Sequence, residues 1–265
     1  MSHFPSTSRQ LLVNCISQRG FAKKKPVFVE WSGKMKANTN KKPPSLKVVN
    51  TSSRKNHSVV QKYSHILVID FEATCIKDGV ITPVQEIIEF PVVKLCTTEW
   101  REVGRFHEYV KPVENPVISS FCTELTGIIQ EMVDDCNTLP QVLENFETWV
   151  GEDPDLVSGS FALLSCGDWD LLTALNREVA YKNIKLPSYF KNWINLKKAY
   201  ARHTGHFAKG LPELLRIYEL QFKGRHHSGI DDVQNIAEIV KCLGRSGHRF
   251  EITSEANENL HIYNP

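Results

Sequence analysis

Four carboxylates and a histidine stand at the ends of apolar runs or at the starts of helical patterns in this 265-residue sequence. They are Asp70 and Glu72 in HILVIDFEATC, Asp170 in SCGDWDLL, and His227 and Asp232 in GRHHSGIDDVQNIAEIV. At such places a folded core presents charge to a cleft. Carboxylates gathered in this way repel one another unless positive charge lies between them, and a pair of divalent cations is the natural occupant. Two metals with a histidine beside them point to phosphodiester hydrolysis.

Spacing narrows the candidates. Asp70 and Glu72 are two residues apart on an apolar strand, so both side chains leave the face that carries Ile66 and Val68. Charges ending a buried stripe are costly unless paired or bound to metal; the bland alternative puts them beyond the strand end, in water. Four, seven and eight residues after Asp232 come Ile236, Ile239 and Val240, so Asp232 faces inward on an apolar helix face. The same steps of four and seven from Asp231 reach Asn235 and Glu238, which turns Asp231 to solvent or to support of the helix N-terminus. His227 precedes Asp232 across a Ser-Gly turn and can share its site, whereas His226 reads as a turn residue. Asp170 has a rival in Asp168, which can instead cap the helix that follows.

The elements that must hold these residues follow from periodicity. Strands are expected over His65–Ala73, Ile87–Leu95 and Glu102–Val110 as a meander, then over Leu156–Cys166 and Trp193–Leu196. Helices are expected over Leu139–Val150 behind the cap Thr138, and over Asp168–Tyr181, Leu211–Tyr218 and Gly229–Leu243. Strands first, then alternating helices and strands, give an α/β fold with a mixed central sheet flanked by helices.

Composition sets the frame. A hydrophobic share of 41% fits a globular chain, and no run reaches the ~18 apolar residues of a membrane span. The net charge of +2 divides unevenly: residues 1–62 hold 13 Lys/Arg and one acid, and residues 63–265 hold 19 Lys/Arg and 29 Asp/Glu. An acidic body of −10 thus follows a basic segment of +12, which is expected to be a disordered tail or a targeting segment. Its opening SRQLLVNCISQRGFAKKK, with arginines, serines and no acid, fits a mitochondrial transit peptide. The alternative is a nucleic-acid-touching or nuclear-import arm in a cytoplasmic or nuclear protein. Seven cysteines without a CxxC pair fit an intracellular, reducing setting.

The strings DFEATC, QEIIEFPVVKL, FCTELTGI, CGDWDL, WINLKKAY and GRHHSGIDDVQNIA resemble the Eri-type 3′→5′ exonucleases. This group, which includes the histone-mRNA 3′ exonuclease and the prion-interactor exonuclease, belongs to the DEDDh branch of the ribonuclease-H-like fold. The resemblance runs over about residues 63–255, the expected exonuclease domain, with residues 256–265 as a C-terminal tail. It implies that Asp70, Glu72, Asp170 and Asp232 hold two Mg²⁺ or Mn²⁺ ions, with Asp170 now favoured over Asp168. It also implies that His227 is the general base, that the partner is a nucleic-acid 3′ end with RNA favoured over DNA, and that nucleoside 5′-monophosphates are released. Phe71, Ala73, Thr74, Phe121, Leu125, Thr126 and Trp169 would line the pocket for the terminal nucleotide, Trp169 by stacking on a base. His226 departs from the family's usual proline or alanine. The competing expectations are a catalytically silent protein that shields RNA 3′ ends and a mitochondrial oligoribonuclease-like enzyme.

Overall fold

The computed structural model describes residues 59–256 and 261–263, so the basic segment 1–58 lies outside the described residues. Strand β1 (His65–Ile69) is buried along its whole length. The chain breaks at Asp70 and Phe71, resumes as β2 (Glu72–Ala73), and turns through β3 (Ile87–Cys96) and β4 (Arg101–Tyr109). These four make the expected antiparallel meander, with β1 and β2 sharing one edge of β3 and β4 on the other.

Short helix α1 (Ser120–Thr126) follows, then α2 (Leu139–Glu152), whose start is closed by the Thr138 amide donating to Gln141 Oε1 at 2.9 Å. The strand expected from Leu156 begins only at Phe161. Pro154–Ser158 is instead helix α3, because Asp153 accepts from the amides of Asp155 and Leu156 and Pro154 takes the first turn. Strand β5 (Phe161–Ser165) runs parallel to β1. The helix after it starts as a π turn over Trp169–Leu175 and continues as α4 (Asn176–Tyr181).

Then come β6 (Leu186–Pro187), β7 (Asn192–Asn195) parallel to β5, α5 (Leu196–Thr204), α6 (Leu211–Ile217) and α7 (Gly229–Arg245). Strand β8 (Ser254–Glu255) closes the far edge antiparallel to β7. In the expected C-terminal tail, β9 (Ile262–Tyr263) pairs with β6, and Tyr263 Oη donates to Glu147, so this stretch is tied to the domain.

The mixed sheet separates two apolar layers. Leu67, Ile69 and Phe71 point into one, with α2 and the π turn, while Ile66 and Val68 point into the other, with α5, α6 and α7. This alternation is the two-residue strand period expressed in packing. It sends Asp70 and Glu72 to the side where α7 lies.

Candidate active site

The site forms outside the carboxyl ends of the parallel strands β1 and β5, the usual place for a ligand crevice in an open α/β sheet. The break after Ile69 leaves Asp70 half-buried beyond β1, and Glu72 is buried on β2. Asp170 arrives from β5 on the first turn of the π segment, buried, with its Oδ1 accepting the Phe71 amide at 3.0 Å. That bond fastens the β5 end to the break in β1.

Asp232 comes from the first turn of α7 and is buried, while Ile236, Ile239 and Val240 on its helix face sit wholly within the core. Asp231 turns away and accepts the Arg225 amide at 2.8 Å, where it props the loop that carries His227. Gly224 is required there, since its φ is +88° and a Cβ would lie 2.2 Å from the Asp231 carboxyl carbon. His226 stacks on Phe222 with ring centroids 3.6 Å apart, a turn residue as expected.

His227 is exposed and holds a left-handed backbone, φ +61°, uncommon for a residue with a side chain. Its amide donates to Asp232 Oδ2 at 2.7 Å, so that backbone bond holds both in one turn. Donor atoms of Glu72, His227 and Asp232 all lie within 4.8 Å of one another.

Asp168 is fully engaged elsewhere and does not cap the helix. Its carboxylate accepts from Trp193 Nε1 at 3.1 Å and Ser254 Oγ at 2.6 Å, and it pairs with Lys198 at 2.8 Å. These partners pull its pKa down to about 2 against the opposing effect of burial. It ties β7 and β8 together and leaves Asp170 for the cleft.

The electrostatics are those of a cation site. Burial, then repulsion from Asp170, Asp232, Glu72 and Glu89, holds the Asp70 pKa well above the ordinary carboxylate range. Burial and the neighbouring Glu89, Asp232 and Asp170 push Glu72 up to about 9. Burial lifts Asp170 to about 6 despite the Phe71 amide, and it raises Asp232 despite the His227 amide. Side chains that keep their protons at neutrality release them when hard cations replace the protons, and oxygen donors so clustered suit Mg²⁺ or Mn²⁺. The donor set therefore fits divalent metal.

A cleft of about 300 Å³ opens over this cluster. Asp70, Phe71, Glu72, Ala73, Leu125, Trp169, Asp170 and His227 line it, as do Cys75 and Gln85, which sequence reasoning did not single out. Phe71 offers the cleft its backbone, because its ring packs on Phe90 in the core at 4.6 Å. Three expected contacts are not brought to the cleft. The Thr74 hydroxyl accepts the Glu86 amide, the Thr126 hydroxyl is spent on Cys122 O and the Ile128 amide, and Phe121 sits half-buried on α1 away from the lining.

Glu89 and Arg225 were also missed. Glu89, buried on β3 opposite Glu72, accepts from the amides of Gly229 at 2.9 Å and Ile230 at 3.2 Å and pairs with His107 at 2.8 Å. It holds the positive end of α7 against the sheet. Arg225 reaches from the His227 loop to the Glu124 carbonyl at the end of α1, and its charge draws the Glu72 pKa down against burial and the neighbouring acids. A glutamate inside the apolar run IIEFPVV was the available signal for the first; nothing local marked the second.

Comparison with known proteins bears on the family of this chain. The family model described as Exonuclease matches residues 67–240. The chain is similar to ERI1 exoribonuclease 3 of Homo sapiens, 47% identical over 200 residues that make up 74% of this chain and 58% of that protein. It is also similar to 3′-5′ exoribonuclease 1 of Homo sapiens, 37% identical over 75% of this chain and 56% of that one. The chain thus spans little more than half the length of these relatives. Among solved structures, the nuclease domain of 3′hExo, a DEDDh family member, bound to rAMP, aligns with a TM-score of 0.69 at 36% identity, covering 73% of this chain and 98% of that one. A 3′-exonuclease in 3′-end-specific recognition of the histone mRNA stem-loop aligns with the same score at 34% identity, over 74% and 88%.

Proposed function

The chain belongs to the exonuclease family, in its Eri-type DEDDh branch, and we propose that it shortens RNA from the 3′ end, releasing nucleoside 5′-monophosphates. The observation that carries this reading is the convergence of Asp70, Glu72, Asp170, Asp232 and His227 on one cleft edge from three separate parts of the chain. The names of its relatives, exoribonucleases, and the rAMP bound to one of them favour RNA as the substrate class.

Asp70, Glu72, Asp170 and Asp232 would hold the divalent cations. When bound, such ions polarise the phosphate, ease deprotonation of the attacking water and stabilise the leaving 3′ oxygen. The chain's own residues do the rest. Magnesium prefers oxygen donors, which leaves the exposed His227 ring free to take the water's proton on a ring nitrogen. Histidine suits that step because its ordinary titration lies near neutrality. The Phe71 amide and the His227 amide fix the rotamers of Asp170 and Asp232. The backbone of residues 71–73 forms the floor under the terminal nucleotide, with Leu125 and the half-exposed Trp169 as walls.

Incubation with 5′-labelled single-stranded RNA tests this reading. We expect a ladder receding from the 3′ end in Mg²⁺ or Mn²⁺ and none in EDTA, with activity lowered about 100-fold or more in Asp70→Asn and His227→Ala. Near-full activity in either variant, or shortening that persists in EDTA, overturns it. Intact RNA held tightly in Mg²⁺ would favour a silent 3′-end-binding protein.

A further inference from the structure

The acidic body poses a problem for any polyanionic substrate. Four carboxylates ring the cleft, so the chain of phosphates leading to the scissile bond needs a path with little further negative charge. One groove offers it. A depression of about 710 Å³ joins the cleft, sharing Cys75 and Gln85 with it. Its fourteen lining residues include no carboxylate and one cation, Arg177.

One wall is the helix that carries Asp170. The lining residues Thr173, Ala174, Arg177, Ala180 and Tyr181 fall on one side of it. Trp169, at the cleft, precedes Thr173, Arg177 and Tyr181 in steps of four residues. From Trp169 to Tyr181 this face runs through the π turn and α4. The opposite wall is the 75–85 segment, which presents the exposed Ile76 and Val80.

The cation on this face is uncommitted, and the aromatic at its far end is tied only to Glu114. Arg177 is exposed, and no ion pair or hydrogen bond holds its guanidinium among the described residues. Tyr181 is half-exposed, its hydroxyl in one long contact of 3.4 Å with Glu114. An aromatic ring, an unpaired guanidinium and a second aromatic ring along a groove match the alternation of base and phosphate in a single strand.

We propose that this groove is the binding track for the single-stranded RNA immediately 5′ of the nucleotide being removed. Arg177 pairs with a backbone phosphate, and Tyr181 stacks on a base beyond it. The track rests on the exonuclease reading above and adds to it a stretch of substrate upstream of the terminal nucleotide. It makes the enzyme prefer strands of several nucleotides over dinucleotides, and it does so without reading sequence.

Fluorescence anisotropy with the full chain, a 5′-fluorescein 12-nucleotide single-stranded RNA and EDTA tests the track without cleavage. Arg177→Ala is expected to bind about tenfold more weakly and to lower the slope of log affinity against log salt by about 0.7, the value of one single-strand phosphate. Arg177→Lys keeps the slope. Tyr181→Ala is expected to bind about tenfold more weakly with its slope unchanged. In Mn²⁺, the preference for the 12-mer over a dinucleotide falls in both alanine variants. Unaltered affinity and slope in Arg177→Ala, or no measurable binding by the unaltered chain, overturns the track. Failure of the unaltered chain to shorten RNA in Mn²⁺ overturns the exonuclease reading instead, and the anisotropy result stands apart from it.

Discussion

Replacing Glu72 by Gln should stabilise the protein when metal is withheld, and nearly all of that advantage should vanish when metal is supplied. Glu72 is buried, and its pKa rises from an ordinary 4.5 to about 9. A carboxyl whose folded value is raised favours the folded state at low pH. That stability is fully present below about 4.5 and is lost progressively as pH climbs through about 9. At pH 7 about 2.5 pH units separate the unfolded titration from the solution, at about 1.4 kcal/mol each, so folding's proton uptake costs about 3 kcal/mol. Glutamine keeps the shape and never ionises. In EDTA at pH 7 the variant should therefore melt about 6–12 °C higher, at about 2–4 °C per kcal/mol for a domain of this size. Urea titrations from pH 5 to 8.5 should show a slope shallower by about 1.4 kcal/mol per pH unit, one proton's worth. Manganese at a hundred times its dissociation constant should add about 2.7 kcal/mol to the native chain and much less to the variant. A variant no more stable than the native chain in EDTA, with an unchanged pH slope, would refute the claim that burial and the neighbouring acids hold this carboxyl protonated.

Three further substitutions separate support from chemistry. Glu89→Gln weakens the grip on the α7 amides, and calorimetric titration with Mn²⁺ should show about 10- to 100-fold lower affinity, as loss of a ligand's supporting partner usually does. Gly229→Ala places a Cβ 2.9 Å from Asp70 O and 3.0 Å from Glu89 Oε2 and Pro91 Cγ. We expect a loss of about 1–3 kcal/mol in denaturant titration, with exonuclease activity falling as α7 moves off the sheet. Asp168→Asn should cost about 2 kcal/mol at pH 7 while the kcat of the folded enzyme is retained. Its pKa is lowered to about 2, so the stability it gives is present above about 3.8 and lost as pH falls through about 2. Melting curves from pH 2 to 7 check that window.

The parts of the site that were legible in the sequence are those where a side chain's direction follows from local period. Strand parity put Ile66 and Val68 on the face that α7 covers, and Glu72 rejoins that side opposite Glu89 after the chain breaks at Asp70. Helix phase turned Asp232 inward, as the burial of Ile236, Ile239 and Val240 bears out, whereas Asp231 is half-buried with Asn235 buried on its side, so it props the α7 start rather than facing solvent. What escaped is non-local or has no period of its own. Glu89 finds its partners 140 and 141 residues away, at the start of α7. The π turn over Trp169–Leu175 reads in sequence as ordinary helix, since the seven residues WDLLTAL are too few to distinguish one spacing from the other. Helix α3 is a different case: Asp153 and Pro154 gave a local start signal, and the apolar residues after them outweighed it.

The supports of the site explain why the carboxylates stay together at all. Four acids at one edge should drive the elements apart, and each is instead held through a backbone amide or by the sheet. Phe71 N–H holds Asp170, His227 N–H holds Asp232, and the amides of α7 are held in turn by Glu89. Hydrogen bonds to charged groups contribute about 1.5–3 kcal/mol each, enough in sum to oppose the repulsion but not to abolish it. Burial first, and repulsion among the acids behind it, keep the pKa values of Asp70, Glu72 and Asp170 raised. That residual repulsion is what a divalent cation relieves, so the same geometry that destabilises the metal-free site gives it affinity for metal. The left-handed turn at His227 belongs to this arrangement, because it is what lets one residue give its amide to Asp232 and keep its ring at the cleft.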